Sequence, residues 1–165
     1  MPWRHVGAYY PQVFVRGWLA ECLFFLLFFF ASHIPTSPYN SMYIAIDFDG
    51  TCVTHEFPNV GKEIGAVPVL KRLIERGHKL ILYTMRGKDT IDAAKNWFDK
   101  NNIALFGINY NPTQWRWTTS KKVFAQLYID DAALGVPLKL DISLSSRPFV
   151  DWEEVERLLI DRNIL

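Results

Sequence analysis

Residues 43–51 read Tyr-Ile-Ala-Ile-Asp-Phe-Asp-Gly-Thr, a short apolar run that ends in two carboxylates and a glycine. An apolar run of this length, closed by a turn residue, predicts a buried β-strand. The acidic residues Asp47 and Asp49 come at its carboxyl end, where Gly50 lets the chain turn sharply. The pattern therefore predicts a strand with a polar site at its tip.

The segments after this strand alternate between helix and strand. Two have apolar residues at helical spacing and three are short apolar runs, which predicts helices at 67–76 and 89–101 and strands at 79–84, 104–108 and 127–130. Asp151 and Glu154 have the spacing of a capping box for a last helix through Ile160. This order predicts an α/β fold, a three-layer sandwich with a mainly parallel, Rossmann-like sheet between helices.

Polar residues end three of the predicted strands. Asp47 ends the first, Thr84 ends the second, and the pair Asp130 and Asp131 ends the strand at 127–130. Ligands of such sheets bind where the carboxyl ends of the strands converge. A group of carboxylates is costly to bury without a cation, and a site of oxygen ligands suits Mg²⁺. The sequence thus predicts a magnesium site at this edge.

Four motifs in this order resemble the haloacid dehalogenase superfamily of aspartate-nucleophile phosphatases: residues 47–51, Thr84, Lys122 and the pair Asp130-Asp131. The resemblance covers residues 42 to about 152 and is greatest to small capless bacterial or phage hydrolases of unassigned substrate. Predicted helices and strands fill the intervals between the motifs, so we expect a fold like that of this superfamily with no cap domain.

The resemblance implies a phosphomonoester phosphatase in which Asp47 attacks phosphorus to form an aspartyl-phosphate. Asp49 is then the acid/base partner, and an aspartate at this position favours phosphate ester hydrolysis over the other reactions of the superfamily. Thr84 and Lys122 hold the phosphoryl oxygens, with Lys121 as the alternative lysine. A catalytically silent binding or regulatory module on the same fold is the competing hypothesis.

The resemblance also implies the metal ligands. Mg²⁺ is expected to be bound by the Asp47 carboxylate, the Asp49 backbone carbonyl and the acidic pair, with Asp131 the direct ligand ahead of Asp130. Mn²⁺ can replace Mg²⁺ at an oxygen site of this kind.

Three further residues are candidates for substrate contacts. Arg86, two positions after Thr84, can bind a phosphate with two parallel hydrogen bonds, although it can equally pair with a nearby acid. His55 follows the first motif in a loop expected at the site entrance, and Trp115 lies in the polar loop 109–119. An exposed loop histidine and a tryptophan packed on its own domain or on a second subunit are the alternatives.

Composition limits the other functions. Eighteen Lys and Arg balance seventeen Asp and Glu, which leaves a net charge of +1 without a basic surface, so the nucleic-acid signal is weak. Cys22 and Cys52 are too few for a disulfide framework and fit a reducing, cytoplasmic compartment. The expected partner is a phosphorylated substrate, a nucleotide or another small phosphomonoester, and a homo-oligomer is left open.

Residues 1–41 precede the predicted hydrolase domain at 42–165 and carry an apolar segment at 17–31. We favour upstream sequence included through a wrong start, because Met42 stands directly before the first strand. The alternatives are a signal or anchor that exports the protein or attaches it to a membrane, and a partner-binding helix. About 15 residues are short of the roughly 20 that span a bilayer, so membrane contact would require this segment to be retained.

Overall fold

The computed structural model describes residues 41–165. The chain divides into two compact units, and the second, Ser37–Leu165, contains all of the described residues. The expectations for the apolar segment at 17–31 and for Cys22 lie outside them. Within 41–165, every helix falls short of the length and apolar character that crossing a membrane requires.

Helices and strands alternate along the described chain. In order, they are β1 (Tyr43–Ile46), α1 (Ala66–Glu75), β2 (Lys79–Leu82), α2 (Lys88–Lys100), β3 (Leu105–Ile108), a 3₁₀ turn (Gln114–Arg116), β4 (Leu127–Ile129), β5 (Leu138–Lys139), β6 (Phe149–Val150) and α3 (Trp152–Asp161). The expected strands and helices are confirmed to within two residues at each end. The short antiparallel pair of β5 and β6 was not predicted.

The main sheet has four strands in the order β3-β2-β1-β4, and all of its pairings are parallel. This confirms an α/β fold with a parallel sheet. β1 lies inside the sheet between β2 and β4, which makes its carboxyl end the point where loops from three strands meet. The strand that carries Asp47 is therefore the one best placed to build a site.

One face of the sheet packs against all three helices. Side chains from alternate strand positions share a single buried cluster with the helices: Ile44 and Ile46 of β1, Leu80 and Leu82 of β2, Ile129 of β4, Leu70 and Leu73 of α1, Ala94 and Phe98 of α2, and Val155 and Leu159 of α3. The apolar side of each helix is therefore buried against this face of the sheet.

Among residues 41–165, a loop and not a helix lies on the opposite face. Because strand side chains alternate, Ala45 and Ile81 point to this face, and both are buried. Tyr128, paired in register with Ala45, donates its hydroxyl hydrogen to the carbonyl of Val123, in the connection from β3 to β4. In the described residues this connection contains a 3₁₀ turn and no α-helix. The expected three-layer sandwich is thus not confirmed.

The ends of two helices follow from local residues. Gly77 follows α1 with φ of 87°, a left-handed conformation that glycine adopts at little cost, as expected for a helix end. At α3, the Asp151 carboxylate accepts a hydrogen bond from the amide of Glu153, so Asp151 is the N-cap. Glu154, expected as its capping partner, instead pairs with Arg157. The cap is confirmed without the reciprocal bond of a capping box.

Candidate metal and phosphate site

The loop after β1 begins as a continuation of the sheet and then turns. The Asp47 amide donates to the carbonyl of Ile129, so this residue still lies beside β4. The Cys52 amide then donates a hydrogen bond to the carbonyl of Phe48 at 2.8 Å, which closes the turn. Phe48 is fully buried in the core and holds the loop down between the two acidic residues.

Three carboxylates gather beside this turn. One oxygen each from Asp47, Asp130 and Asp131 can be chosen so that all lie within 4.8 Å of one another. Thr51 links them: its hydroxyl donates to Asp47 Oδ2 at 3.1 Å and accepts from the Asp131 amide at 2.9 Å. A side chain at Gly50, whose φ is 85°, would collide with the Asp131 carboxylate. The turn thus favours glycine for its conformation, and a larger residue would displace the Asp131 carboxylate.

The surroundings of these carboxylates disfavour their charged forms. Burial, followed by the charge of Asp130, raises the pKa of Asp47 to about 7, against hydrogen bonds from the Phe48 amide and Thr51. Burial and Asp130 also raise the pKa of Asp131, which His55 and Arg147 partly offset. The positive charge near these carboxylates is therefore too small to balance them.

This donor set fits a hard divalent cation. Three partly buried carboxylates provide oxygen ligands and no nitrogen or sulfur, the chemistry that Mg²⁺ prefers. A cation there would offset both the burial and the repulsion that raise the pKa values of Asp47 and Asp131. The side chain of Asp49 does not belong to this cluster, and its expected ligation through the backbone carbonyl stays a prediction.

Asp49 is held by Arg86 in a bidentate ion pair. Arg86 Nε and Nη2 each donate to one Asp49 oxygen at 2.7 Å. The guanidinium also donates to the carbonyls of Pro58, Asn59 and Thr90, and the whole residue is only 2% exposed. The sequence left open whether Arg86 binds substrate phosphate or pairs with a nearby acid. In the structure its N–H groups donate to Asp49 and to backbone carbonyls, because Asp49 and the loop at 58–59 surround it.

Thr84 lies where the sequence predicts it, just beyond β2 and next to the Asp47 turn. The Tyr83 amide donates to the carbonyl of Ile46, which continues the pairing of β2 with β1 to this point. The Thr84 hydroxyl accepts from the Arg86 amide at 3.2 Å and keeps its own hydrogen to donate. Thr84 and the acidic cluster thus share one edge of the sheet.

Asn109 is a residue of this edge that the sequence analysis missed. It follows β3 with φ of 52°, and its side-chain amide donates to the Thr84 carbonyl and accepts from the Thr84 amide, both at 2.8 Å. The rule that selected Thr84, a polar residue directly after a strand, applies equally to Asn109. Its role here is to hold the backbone of Thr84 in place.

The two lysine candidates line neighbouring cavities, which share Gln114, Thr118, Ser120 and Val123. Lys121 lines a cavity of about 450 Å³ that Asn109 also lines, on the side of Thr84. Lys122 lines a cavity of about 270 Å³ with Phe124 and Tyr128. Phe124 precedes β4, at the amino end of the sheet. Lys121 thus shares a cavity with Asn109, which contacts Thr84, whereas the expected Lys122 does not line that cavity.

The other loop candidates lie on two sides of the site. His55 is close enough to Asp131 to lower the pKa of that carboxyl group, and its Nδ1 atom is buried without a hydrogen-bond partner among the described residues. Trp115 lines the same cavity as Lys121. Arg147, which the sequence analysis did not select, also acts on Asp131 from a loop before β6.

Comparison with known proteins gives one informative match. No protein-family model matches the chain, and no curated protein does. The chain is similar to the solved structure of a conserved protein from Bacteroides thetaiotaomicron, with 32% sequence identity and a TM-score of 0.60. The similarity covers 74% of this chain and 93% of that one. The similarity concerns sequence and fold, and the description of that protein names no activity.

Proposed function

We propose that this chain, which belongs to the same family as the conserved Bacteroides thetaiotaomicron protein, is a magnesium-dependent phosphomonoester phosphohydrolase of the haloacid dehalogenase type. The observation that carries the proposal is the convergence of Asp47, Asp130 and Asp131 beside a turn in which Gly50 has a left-handed conformation. Three partly buried carboxylates this close together are costly without a cation, and with one they form a metal site.

Asp47 is the proposed nucleophile. One of its oxygens bonds to phosphorus as the bond from phosphorus to the ester oxygen breaks, which leaves the phosphoryl group on Asp47 and frees the alcohol. Asp130 and Asp131, with Asp47, would hold Mg²⁺, which when bound supplies positive charge beside the phosphoryl oxygens. The Thr84 hydroxyl and Lys121 are the proposed phosphate donors, with Lys122 as the alternative lysine.

Asp49 is the proposed acid and base. It gives a proton to the departing ester oxygen and then takes one from the water that attacks the aspartyl-phosphate, which releases inorganic phosphate and restores Asp47. In the described conformation both Asp49 oxygens accept hydrogen bonds from Arg86. Proton transfer therefore uses the lone pair that each oxygen keeps free, or one of these two bonds opens when substrate binds.

The same ion pair favours the second candidate function. A protein whose Asp49 stays locked on Arg86 would bind a phosphorylated ligand and Mg²⁺ without turning the ligand over. The silent binding module is therefore retained as the alternative, with the Asp49–Arg86 pair as its supporting observation.

Phosphate release from a panel of phosphomonoesters, with and without Mg²⁺, tests the proposal. We expect release by the wild-type chain with Mg²⁺, and a loss of at least about 1,000-fold in Asp47→Asn and about 100-fold in Asp49→Asn, the scale of a lost acid/base group. Asp92→Asn, an exposed carboxylate on α2, is the matched control and should keep full activity.

Two outcomes would count against catalysis. Equal release by wild type and Asp47→Asn would mean that the phosphatase activity comes from elsewhere. No release across the panel, while Mg²⁺ still raises the unfolding temperature of the wild type, would favour the silent module.

A further inference from the structure

Two residues that line the larger cavity beside the lysine pair, Asn109 and Tyr110, follow β3 directly, at the carboxyl edge of the sheet that also holds the acidic cluster. Asn109, in its wall, is bonded twice to the backbone of Thr84, and Thr84 is adjacent to the Asp47 turn. A phosphate held by Thr84 and Lys121 would therefore place the rest of its molecule in this cavity. About 450 Å³ lies in the range of roughly 300–1,000 Å³ of small-molecule sites.

The walls of this cavity combine flat apolar surfaces with polar groups. Trp115 is 67% exposed, with the Arg116 guanidinium 5.9 Å from the centre of its ring, and Tyr110 is 49% exposed, so both residues present apolar surface to water. Thr118, Ser120 and Lys121 line the same cavity and add two hydroxyl groups and an ammonium group. Aromatic rings beside a few polar groups suit a planar, hydrogen-bonding ring more than an open sugar chain.

Buried side-chain amides hold the cavity loop in shape. The amide of Gln114 donates to the carbonyls of Ser120 and Lys122 at 2.6 and 2.7 Å and accepts from the Phe124 amide at 2.7 Å. The fully buried Asn111 donates to the carbonyl of Phe124 at 2.8 Å. The cavity therefore exists before a ligand arrives, which lowers the ordering cost of binding.

The neighbouring tryptophan has different surroundings. Trp117 is 62% exposed, close to the value for Trp115, but it packs edge-on against Phe124 at 5.2 Å and lines the smaller cavity with Lys122. The two residues therefore provide a matched pair: similar in type and exposure, in the same loop, and in different cavities.

We propose that the cavity lined by Asn109, Tyr110, Trp115, Ser120 and Lys121 binds the planar heterocycle of a nucleoside-type phosphomonoester, with Trp115 as its stacking surface. This inference rests on the proposed phosphohydrolase function and names the class of its leaving group. Stacking of a base on an aromatic side chain typically adds about 10- to 100-fold in affinity.

The test compares substrates with and without a ring, using the full chain and Mg²⁺. We expect kcat/KM for adenosine and uridine 5′-monophosphates to exceed that for ribose 5-phosphate by about ten-fold or more. Trp115→Leu should remove most of this preference, Trp115→Phe should keep part of it, and Trp117→Leu should leave it within about two-fold. Thermal unfolding of each variant checks that the fold is intact.

A calorimetric titration separates this inference from the proposed function. Asp47→Asn, with Mg²⁺, is titrated with adenosine 5′-monophosphate alone and in combination with each tryptophan variant. If no ester releases phosphate, the phosphohydrolase proposal fails, but weaker binding in Trp115→Leu than in Trp117→Leu would still support the ring site. Equal kcat/KM values with and without the ring, equal effects of the two tryptophans, or no nucleotide binding would overturn it.

Discussion

Asp47 must be ionised to hold a cation or attack phosphorus, yet its surroundings favour the protonated acid. Burial and the charge of Asp130 raise its pKa from 3.8 to about 7. Below pH 3.8 the carboxyl is protonated in both the folded and the unfolded chain. As the pH rises from about 4 to 7, the unfolded chain loses the proton first, so Asp47 progressively destabilises the metal-free fold.

This sign predicts the effect of Asp47→Asn on stability. Without metal, the variant should be more stable than the wild type at pH 8, by at most about 4 kcal/mol, since a pKa unit corresponds to about 1.4 kcal/mol. At pH 4 the gain should nearly vanish. Urea unfolding in EDTA at both pH values measures it, with Asp92→Asn as control; a gain independent of pH would contradict the assigned cause.

Gly50 is the second residue on which the site depends. Its left-handed φ of 85° strains any other residue, and a Cβ there would force the Asp131 carboxylate to move. Gly77 has a similar φ of 87°, but a Cβ there would meet nothing within 4 Å. The two glycines therefore separate the cost of backbone strain from the cost of collision.

We expect Gly77→Ala to lower the free energy of unfolding by about 1–2 kcal/mol, the cost of left-handed alanine. Gly50→Ala should cost more and should also abolish the stabilisation by Mg²⁺, because Asp131 must move. Thermal unfolding with Mg²⁺ and with EDTA distinguishes the two. An undiminished response to Mg²⁺ in Gly50→Ala would argue against Asp131 as a ligand.

Between elements, Arg86 joins three parts of the chain. Its guanidinium bonds to Asp49 after β1, to the carbonyls of Pro58 and Asn59 in the following loop, and to the carbonyl of Thr90 in α2. These hydrogen bonds replace the ones to water that the guanidinium loses when it is buried. The arginine thus positions the acid/base candidate and the loop beside it.

Replacement of this arginine should be costly. Arg86→Met leaves Asp49 without its partner, and removal of one partner of a buried ion pair typically costs about 3–5 kcal/mol. Arg72→Met, which breaks the exposed pair with Glu156, should cost less than about 1 kcal/mol. Urea unfolding of both variants makes the comparison; similar losses would mean that the Asp49–Arg86 pair contributes no more than a surface pair.

At the scale of the described domain, the two faces of the sheet pack against different parts of the chain. One face and three helices form a single buried cluster, which accounts for the core. The other face carries the loop with Trp115, Trp117 and Lys121, held by the buried amides of Asn111 and Gln114. This loop lies on the face away from the helices. Its exposed side chains line the cavity instead of packing into the core.

Much of this arrangement could be predicted from local pattern. The buried strands and amphipathic helices follow from hydrophobic spacing, and parallel order places Asp47, Thr84 and the Asp130–Asp131 pair at one edge. The loop that connects β3 to β4 could not be predicted, because two polar amides, Asn111 and Gln114, hold it in place. Buried polar bonds leave no periodic signal in the sequence.

The sequence by itself determined the order of elements, the parallel sheet and the acidic residues at its edge, since each depends on residue type and spacing along the chain. Only the tertiary structure decided which side chains meet. It paired Arg86 with Asp49, assigned Lys121 and Lys122 to different cavities, and brought Asn109 against Thr84. Hydrogen bonds and ion pairs between distant residues depend on position in space, which spacing along a chain does not specify.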